Sequence, residues 1–89
     1  MAVFKLPAEM SIATASELKQ TLHGLLQSEP CLDLDSVAVI RVDASTLQLL
    51  LALVNEAELR TVPLRWLNIS TELKASAELL GLTDSLKLA

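Results

Sequence analysis

Hydrophobic residues follow two periods along the chain, one typical of helices and the other typical of strands. The residues at helical spacing are Leu18, Leu22, Leu25 and Leu26, then Leu47, Leu50, Leu51, Val54 and Ala57, and finally Leu73, Ala77 and Leu80. Short apolar stretches at 2–6, 31–35, 37–42 and 63–69 predict strands between and before these helices. Strands that alternate with helices predict an α/β fold with crossover connections and a largely parallel sheet.

Polar residues and glycine mark the predicted helix ends. Two pairs have the spacing of a capping box, Thr14 with Glu17 and Ser45 with Gln48, and they predict the starts of the first and second helices. The first helix should run to about Gln27, because Pro30 prevents continuation. Ser70 is expected to cap the third helix, and Gly81 to end it in a left-handed turn with Leu82 folding back. Residues 83–89 are too short a segment to classify.

Composition and charge narrow the class of protein. The 89 residues fit one domain, 1–89, and a hydrophobic content of 52% can supply its core. A net charge of −4 and only two aromatic residues argue against binding nucleic acid or an anionic membrane. One cysteine, no signal-peptide pattern and no apolar run long enough to cross a bilayer predict a cytoplasmic protein without direct membrane insertion. The oligomeric state does not follow from the sequence.

The residues capable of catalysis are few. His23 lies within a predicted helix without a neighbouring motif, and Cys31 is expected to be an inert buried thiol. One histidine and one cysteine cannot form a zinc site. Asp33, Asp35 and Asp43 could meet near strand ends and hold Mg²⁺, but solvated acids are commoner there. We therefore expect neither an enzyme nor a metal or other cofactor.

The start of the second helix is the candidate site. Ser45 could be an ordinary helix cap, yet a second feature indicates a contact surface. On a helical wheel, Leu49, Ala52 and Leu59 share the side of Ser45, Gln48 and Glu56, away from the core stripe. Either a partner or another helix of the same domain could cover these residues. Trp66 could also be a partner anchor, although its place in a strand favours the core.

The stretches 32–35 (LDLD) and 42–47 (VDASTL) resemble the STAS domain, a family named for sulfate transporters and anti-sigma factor antagonists. Family members read roughly L-D-L-S and then I-D-S-S-G-L or I-D-T-A-G-L. Residues 6–10 (LPAEM), 66–68 (WLN) and 79–82 (LLGL) are similar to the opening and closing segments of that family. The resemblance covers nearly the whole chain. It implies a single-domain STAS-like fold with a mixed, largely parallel four-stranded sheet, helices packed against it, and no catalysis.

The resemblance also implies a partner and a switch. Anti-sigma factor antagonists bind a serine-kinase anti-sigma factor and are released by phosphorylation of a serine that corresponds here to Ser45, preceded by Asp43. The family glycine corresponds to Thr46, which would add a side chain where the partner approaches and a second acceptor hydroxyl. The predicted partner-binding residues are Asp43, Ser45, Thr46, Gln48, Leu49 and Ala52.

Two kinds of partner are compatible with this resemblance. The run 47–52 (LQLLLA) is similar to small bacterial STAS proteins linked to chemotaxis or two-component signalling, where a histidine kinase-like protein would be the partner. The alternative is a constitutive accessory subunit of an ABC-type phospholipid transport complex, whose STAS subunit contacts an ATPase through a threonine-bearing loop.

Overall fold

Three parallel strands form the main sheet of the computed structural model, which describes residues 2–88. The elements are β1 (Ala2–Lys5), β2 (Glu9–Met10), α1 (Ile12–Ser28), β3 (Leu32–Asp35), β4 (Arg41–Val42), α2 (Ala44–Leu59), β5 (Leu64–Leu67) and α3 (Thr71–Leu79). The sheet order is β1-β3-β5, and the two-residue strands β2 and β4 pair in parallel as a separate ladder. The α/β class and the parallel pairing are confirmed, whereas the predicted four strands in one sheet become three plus a short ladder.

The middle strand, β3, organises the core. Leu34 pairs with Phe4 on one side and Trp66 on the other, and both Leu32 and Leu34 are fully buried. Helical leucines cover this face of the sheet, and each buried leucine contributes roughly 1.5–3 kcal/mol to folding. The core-forming residues of the helices are Leu18, Leu22, Leu26, Leu47, Leu50, Leu53, Val54, Ala57, Leu73 and Ala77.

The first helix begins earlier than the sequence predicts. Its N-cap is Ser11, and the Thr14 hydroxyl accepts a hydrogen bond from the Ser11 amide at 3.4 Å. Thr14 is therefore the third helical residue rather than the cap. Both 11–14 and 14–17 have capping spacing, and the helix uses the earlier pair, so Ile12 is its first residue. The helix ends at Ser28, close to the predicted end and before Pro30.

The apolar stretch 37–42 is mostly a turn rather than the predicted strand. The Asp35 carboxylate accepts a hydrogen bond from the Val37 amide at 3.0 Å, and the Val39 amide donates to the Ser36 carbonyl oxygen at 3.0 Å. These local bonds divert the backbone from strand pairing until β4. Val39 is buried beneath the turn, whereas Val37 and Ile40 are exposed.

The third helix starts and stops as predicted. The Ser70 hydroxyl accepts a hydrogen bond from the Leu73 amide at 3.1 Å. Gly81 has a φ of 69°, and the Leu82 amide donates to the Ala77 carbonyl oxygen at 2.8 Å, which is the Schellman closure. Leu80 was expected on the inner face, but it is half-exposed because the helix has already ended at Leu79.

The segment after α3 folds back onto the sheet. Leu86 and Leu88 are buried, and the Trp66 indole N–H donates to the Leu86 carbonyl oxygen at 2.8 Å. Trp66 packs against the core, as its strand position favoured. Cys31 is only half-buried, so the expectation of a buried thiol was wrong, since it lies one residue before β3 begins.

Candidate functional site

The N-cap of the second helix is Asp43, two residues before the predicted cap, Ser45. Ser45 is the second helical residue, so the predicted capping box of Ser45 and Gln48 is wrong. The Asp43 carbonyl oxygen accepts hydrogen bonds from the amides of Thr46 and Leu47 at 3.0 and 3.2 Å. These bonds close the first turn without using the Ser45 hydroxyl, which leaves that group available to another molecule.

Thr46 lies inside the protein, not on the predicted contact surface. Its side chain is fully buried, and its hydroxyl lies 2.7 Å from the Asp43 carbonyl oxygen and 2.9 Å from that of Met10. The expectation that this residue adds bulk where a partner approaches was therefore wrong. A kinase cannot reach this hydroxyl in the folded protein, so Thr46 serves as a structural tie between α2 and β2.

Ser45 is exposed, and it lies at one end of a groove between α1 and α2. The groove has a volume of 430 Å³. The residues that line it are Lys19, Leu22, His23 and Leu26 from α1 and Ser45, Leu49, Ala52, Leu53 and Glu56 from α2. Leu49 is half-buried and Ala52 exposed, so the floor of the groove is apolar and open to solvent.

The predicted site residues divide into three groups. The structure brings Ser45, Leu49 and Ala52 together along one side of the groove. Asp43 lies just before them as the N-cap and forms an ion pair with Arg41 at 3.5 Å, whereas Gln48 is exposed but does not line the groove. Thr46 is the residue that leaves the predicted surface. Leu59, expected on the same side, is exposed beyond the far end of the groove lining.

Sequence reasoning missed the wall that α1 contributes. Lys19 and His23 lie either side of Leu22, a core leucine, and this spacing was visible in the sequence. The spacing alone did not reveal that α1 and α2 are neighbours. The order of strands and helices could have supplied that knowledge, because successive right-handed crossovers that extend a parallel sheet in one direction place their helices side by side.

The acidic residues near the strand ends have separate roles. Arg65 binds Asp33 with two hydrogen bonds of 2.9 and 3.2 Å, and the buried carboxylate raises the pKa of Arg65 above its ordinary value through those bonds and its opposite charge. The Asp35 carboxylate binds the Val37 amide. Across residues 2–88, no three acidic, histidine or cysteine side chains cluster as a metal site would require.

His23, the single histidine, is engaged on the surface of α1. Its Nε2 lies 3.2 Å from the Gln27 side-chain nitrogen, one helical turn further on. The imidazole lines the α1 side of the groove with Lys19, whereas Ser45 and Glu56 line its α2 side. His23 therefore gives the α1 side of the groove a polar edge.

Comparison with protein families identifies the family of the chain. A family model described as "Mlab, STAS domain" matches residues 2–88. The chain belongs to the STAS domain family. Members of this family generally mediate protein–protein interactions and are generally non-enzymatic. The comparison with curated proteins gave no significant match. In this STAS domain, none of the helices within residues 2–88 has the length and hydrophobicity needed to cross a bilayer.

Proposed function

We propose that this STAS domain is a non-enzymatic regulatory module of the bacterial cytoplasm that binds a protein partner through the Ser45 side of α2. In this proposal the module acts like an anti-sigma factor antagonist, and phosphorylation of Ser45 controls binding. The partner is a serine-kinase-type anti-sigma factor or a histidine kinase-like signalling protein. The observation that carries the proposal is the exposed Ser45 in the first turn of α2, with Leu49 and Ala52 following on the same side.

A phosphate at Ser45 would change the surface without unfolding it. The helix N-terminus favours negative charge, because its amide groups carry a partial positive charge there. The modification would add roughly −1.5 to −2 charges at neutral pH. A partner surface suited to a neutral hydroxyl and apolar side chains would then lose contact through repulsion and the cost of desolvating the phosphate.

The inward orientation of Thr46 supports this proposal. Where the family has glycine, this chain has a threonine whose side chain is fully buried. The surface beside Ser45 therefore keeps the open shape that a glycine would give, so the substitution presents no obstacle to a partner. The kinase has one accessible hydroxyl in this turn, that of Ser45.

A second candidate function uses the same surface without phosphate turnover. The matched family model is named for Mlab rather than for an anti-sigma factor antagonist. That description favours a constitutive accessory subunit of an ABC-type phospholipid transport complex, in which the STAS domain would bind the ATPase. Under this alternative Ser45 is a permanent contact residue, and its hydroxyl remains unmodified.

The two candidates can be separated by affinity capture of partners with the wild-type protein and the Ser45→Asp variant. Ser16→Asp, at an exposed position of α1 outside the groove, is the matched control. The signalling proposal expects a kinase-type partner that Ser45→Asp releases and Ser16→Asp retains, together with phosphate at Ser45 in protein isolated from cells. A transporter ATPase as partner, with unmodified Ser45, would establish the accessory-subunit alternative instead. Unchanged capture by Ser45→Asp would exclude this surface as the binding site.

A further inference from the structure

The groove between α1 and α2 is lined by both helices at helical spacing. Its α1 side is lined at positions 19, 22, 23 and 26 and its α2 side at positions 45, 49, 52, 53 and 56, so both walls repeat every three or four residues. The rise from Ser45 to Glu56, eleven residues further on, corresponds to about 16 Å, or three helical turns. Apolar residues, Leu49, Ala52 and Leu53, lie between the polar ends Ser45 and Glu56, which is the pattern that an amphipathic helix contacts in a groove.

The groove also has an electrostatic direction. Because α1 connects β1 to β3 and α2 connects β3 to β5, and these strands are parallel, the two helices run in the same direction. The positive N-terminal end of α2 therefore lies at the Ser45 end of the groove. Lys19 is the first α1 residue of the lining, so the parallel direction places its positive charge towards the same end. The opposite end carries Glu56, which also binds Arg60 at 2.8 Å.

We propose that this groove receives an amphipathic helix of the partner protein, antiparallel to α1 and α2, with its negative C-terminal end beside Lys19 and Ser45. This inference rests on the proposed function, since it names the partner element that the Ser45 surface would bind. The antiparallel direction places opposite helix dipoles together, and Lys19 lies next to the free carbonyl groups that end the bound helix.

This arrangement explains how a phosphate at Ser45 could release the partner. The modified side chain would stand beside the negative end of the bound helix, so two groups of like charge would meet at the same end of the groove. Lys19 would also pair with the phosphate instead of with the partner. The switch would then act through charge at one end of the groove, and the apolar floor would stay unchanged.

Other occupants fit the groove less well. An extended peptide gains affinity by hydrogen bonding to a free strand edge, but the backbone groups along helix walls are already bonded within each helix. An acyl chain would use the apolar floor and gain nothing from Lys19. A second copy of this chain would have to present a helix of its own, and the experiment below detects that case.

The test is a selection from a yeast-displayed library of helical peptides of about 15 residues, with the positions of one face and the charged positions at both ends randomised. Wild-type protein is the target, and the Ala52→Glu variant, which places a charge on the groove floor, is used for counter-selection. We expect the enriched peptides to repeat apolar residues every three or four positions and to be acidic in the last turn. Lys19→Glu should lower the affinity for these peptides roughly 3- to 10-fold. Lys74→Glu on α3 should leave their affinity unchanged.

Orientation is measured separately on the same complex. A nitroxide at the C-terminus of a selected peptide should broaden the amide signals of residues 44–48, and one at the N-terminus should broaden those of residues 56–60. The reverse pattern, enriched peptides without helical periodicity, or the absence of any binder that Ala52→Glu excludes would overturn the inference. So would a dimer of the wild-type protein, or binding to phosphatidylcholine vesicles, that Ala52→Glu abolishes, since another occupant would then hold the groove.

Failure of this inference is distinguishable from failure of the proposed function. A partner released by Ser45→Asp but retained by Ala52→Glu would leave the Ser45 surface in place and exclude the groove. A partner retained by both variants would exclude the proposed function as well. Thermal unfolding of each variant shows whether a loss of binding comes from a loss of folding. Ala52→Arg provides a second substitution of the groove floor.

Discussion

The Thr46 hydroxyl donates a hydrogen bond of 2.9 Å to the backbone carbonyl oxygen of Met10, which lies 36 positions earlier in the chain. The same carbonyl oxygen accepts a hydrogen bond from the Asp43 amide at 3.0 Å. Two bonds therefore join the first turn of α2 to β2. Ser45 lies within this turn, so the bonds hold its backbone in place from beneath.

Thr46→Val should lower the free energy of unfolding by about 1 kcal/mol, although valine has nearly the same shape. The substitution removes the hydroxyl while Met10 keeps its second partner, so the loss is that of one hydrogen bond rather than of a wholly unpaired group. Thr46→Ser, which retains the hydroxyl, is the control for lost packing of the methyl group. Urea unfolding measures both. A valine variant as stable as the wild type would show that the bond contributes nothing.

The start of α2 shows what the sequence could and could not predict. The segment 42–47 was identified from sequence as a strand-to-helix transition, and the structure has that transition at β4 and α2. The cap was misplaced because Asp43 and Ser45 are both good N-cap residues, and Ser45 has a glutamine at capping-box spacing. The bond that fixes the choice comes from Met10, and no local pattern could reveal it.

Gly24 and Gly81 should respond to alanine with opposite signs. Gly24 lies within α1, where an added methyl group would meet no other atom within 4 Å, so Gly24→Ala should raise the free energy of unfolding by about 0.5–1 kcal/mol. Gly81 has a φ of 69°, which an alanine adopts only with strain. Gly81→Ala should therefore lower the free energy of unfolding by about 1 kcal/mol. Thermal unfolding of the two single variants gives the comparison. Equal effects of the same sign would contradict this assignment of backbone conformation.

The end of α3 was predictable because its signals are local. Ser70, Gly81 and Leu82 act on residues no more than five positions away, and the structure has each of their predicted bonds. The stretch 37–42 has no such advantage. Its apolar composition indicated a strand, but the Asp35 carboxylate and the Ser36 carbonyl oxygen turn the backbone away. Hydrophobicity there reflects one buried residue, Val39, and an exposed turn.

Arg65 and Asp33 should be energetically coupled across β3 and β5. The Asp33 side chain is 7% exposed and depends on the guanidinium for two hydrogen bonds. Arg65→Gln should therefore reduce stability, because it leaves a buried carboxylate with less compensation. Asp33→Asn should lower the free energy of unfolding less in the Arg65→Gln background than in the wild type. A double-mutant cycle by urea unfolding measures this, and strictly additive effects would show that the two residues act independently.

Leu86→Ala should detach the C-terminal segment from the sheet. Leu86 is fully buried, and removing its side chain should lower the free energy of unfolding by about 2–5 kcal/mol. Its carbonyl oxygen binds the only tryptophan of the chain, so the fluorescence of Trp66 reports the change directly. We expect a red-shifted emission in the folded variant. Leu79→Ala, at a side chain 86% exposed, is the control and should change neither property appreciably.

The candidate site was predictable for one helix and not for the other. The wheel of α2 placed Ser45, Leu49 and Ala52 on one side, and they line one groove wall. The opposite wall depends on how α1 lies against α2, which is a property of the assembled sheet. A period in one helix can indicate that a face is unusual, but the shape of a groove requires the position of its neighbour.

Ser36 links the turn after β3 to the start of α3. It is fully buried after β3, and its hydroxyl donates to the Asn68 carbonyl oxygen at 3.2 Å and accepts from the Ser70 amide at 3.1 Å. The turn after β3 and the beginning of α3 are thus cross-linked through one oxygen atom. These two loops therefore lose conformational entropy during folding, so a molecule that met them would find a preorganised surface and would not have to order it.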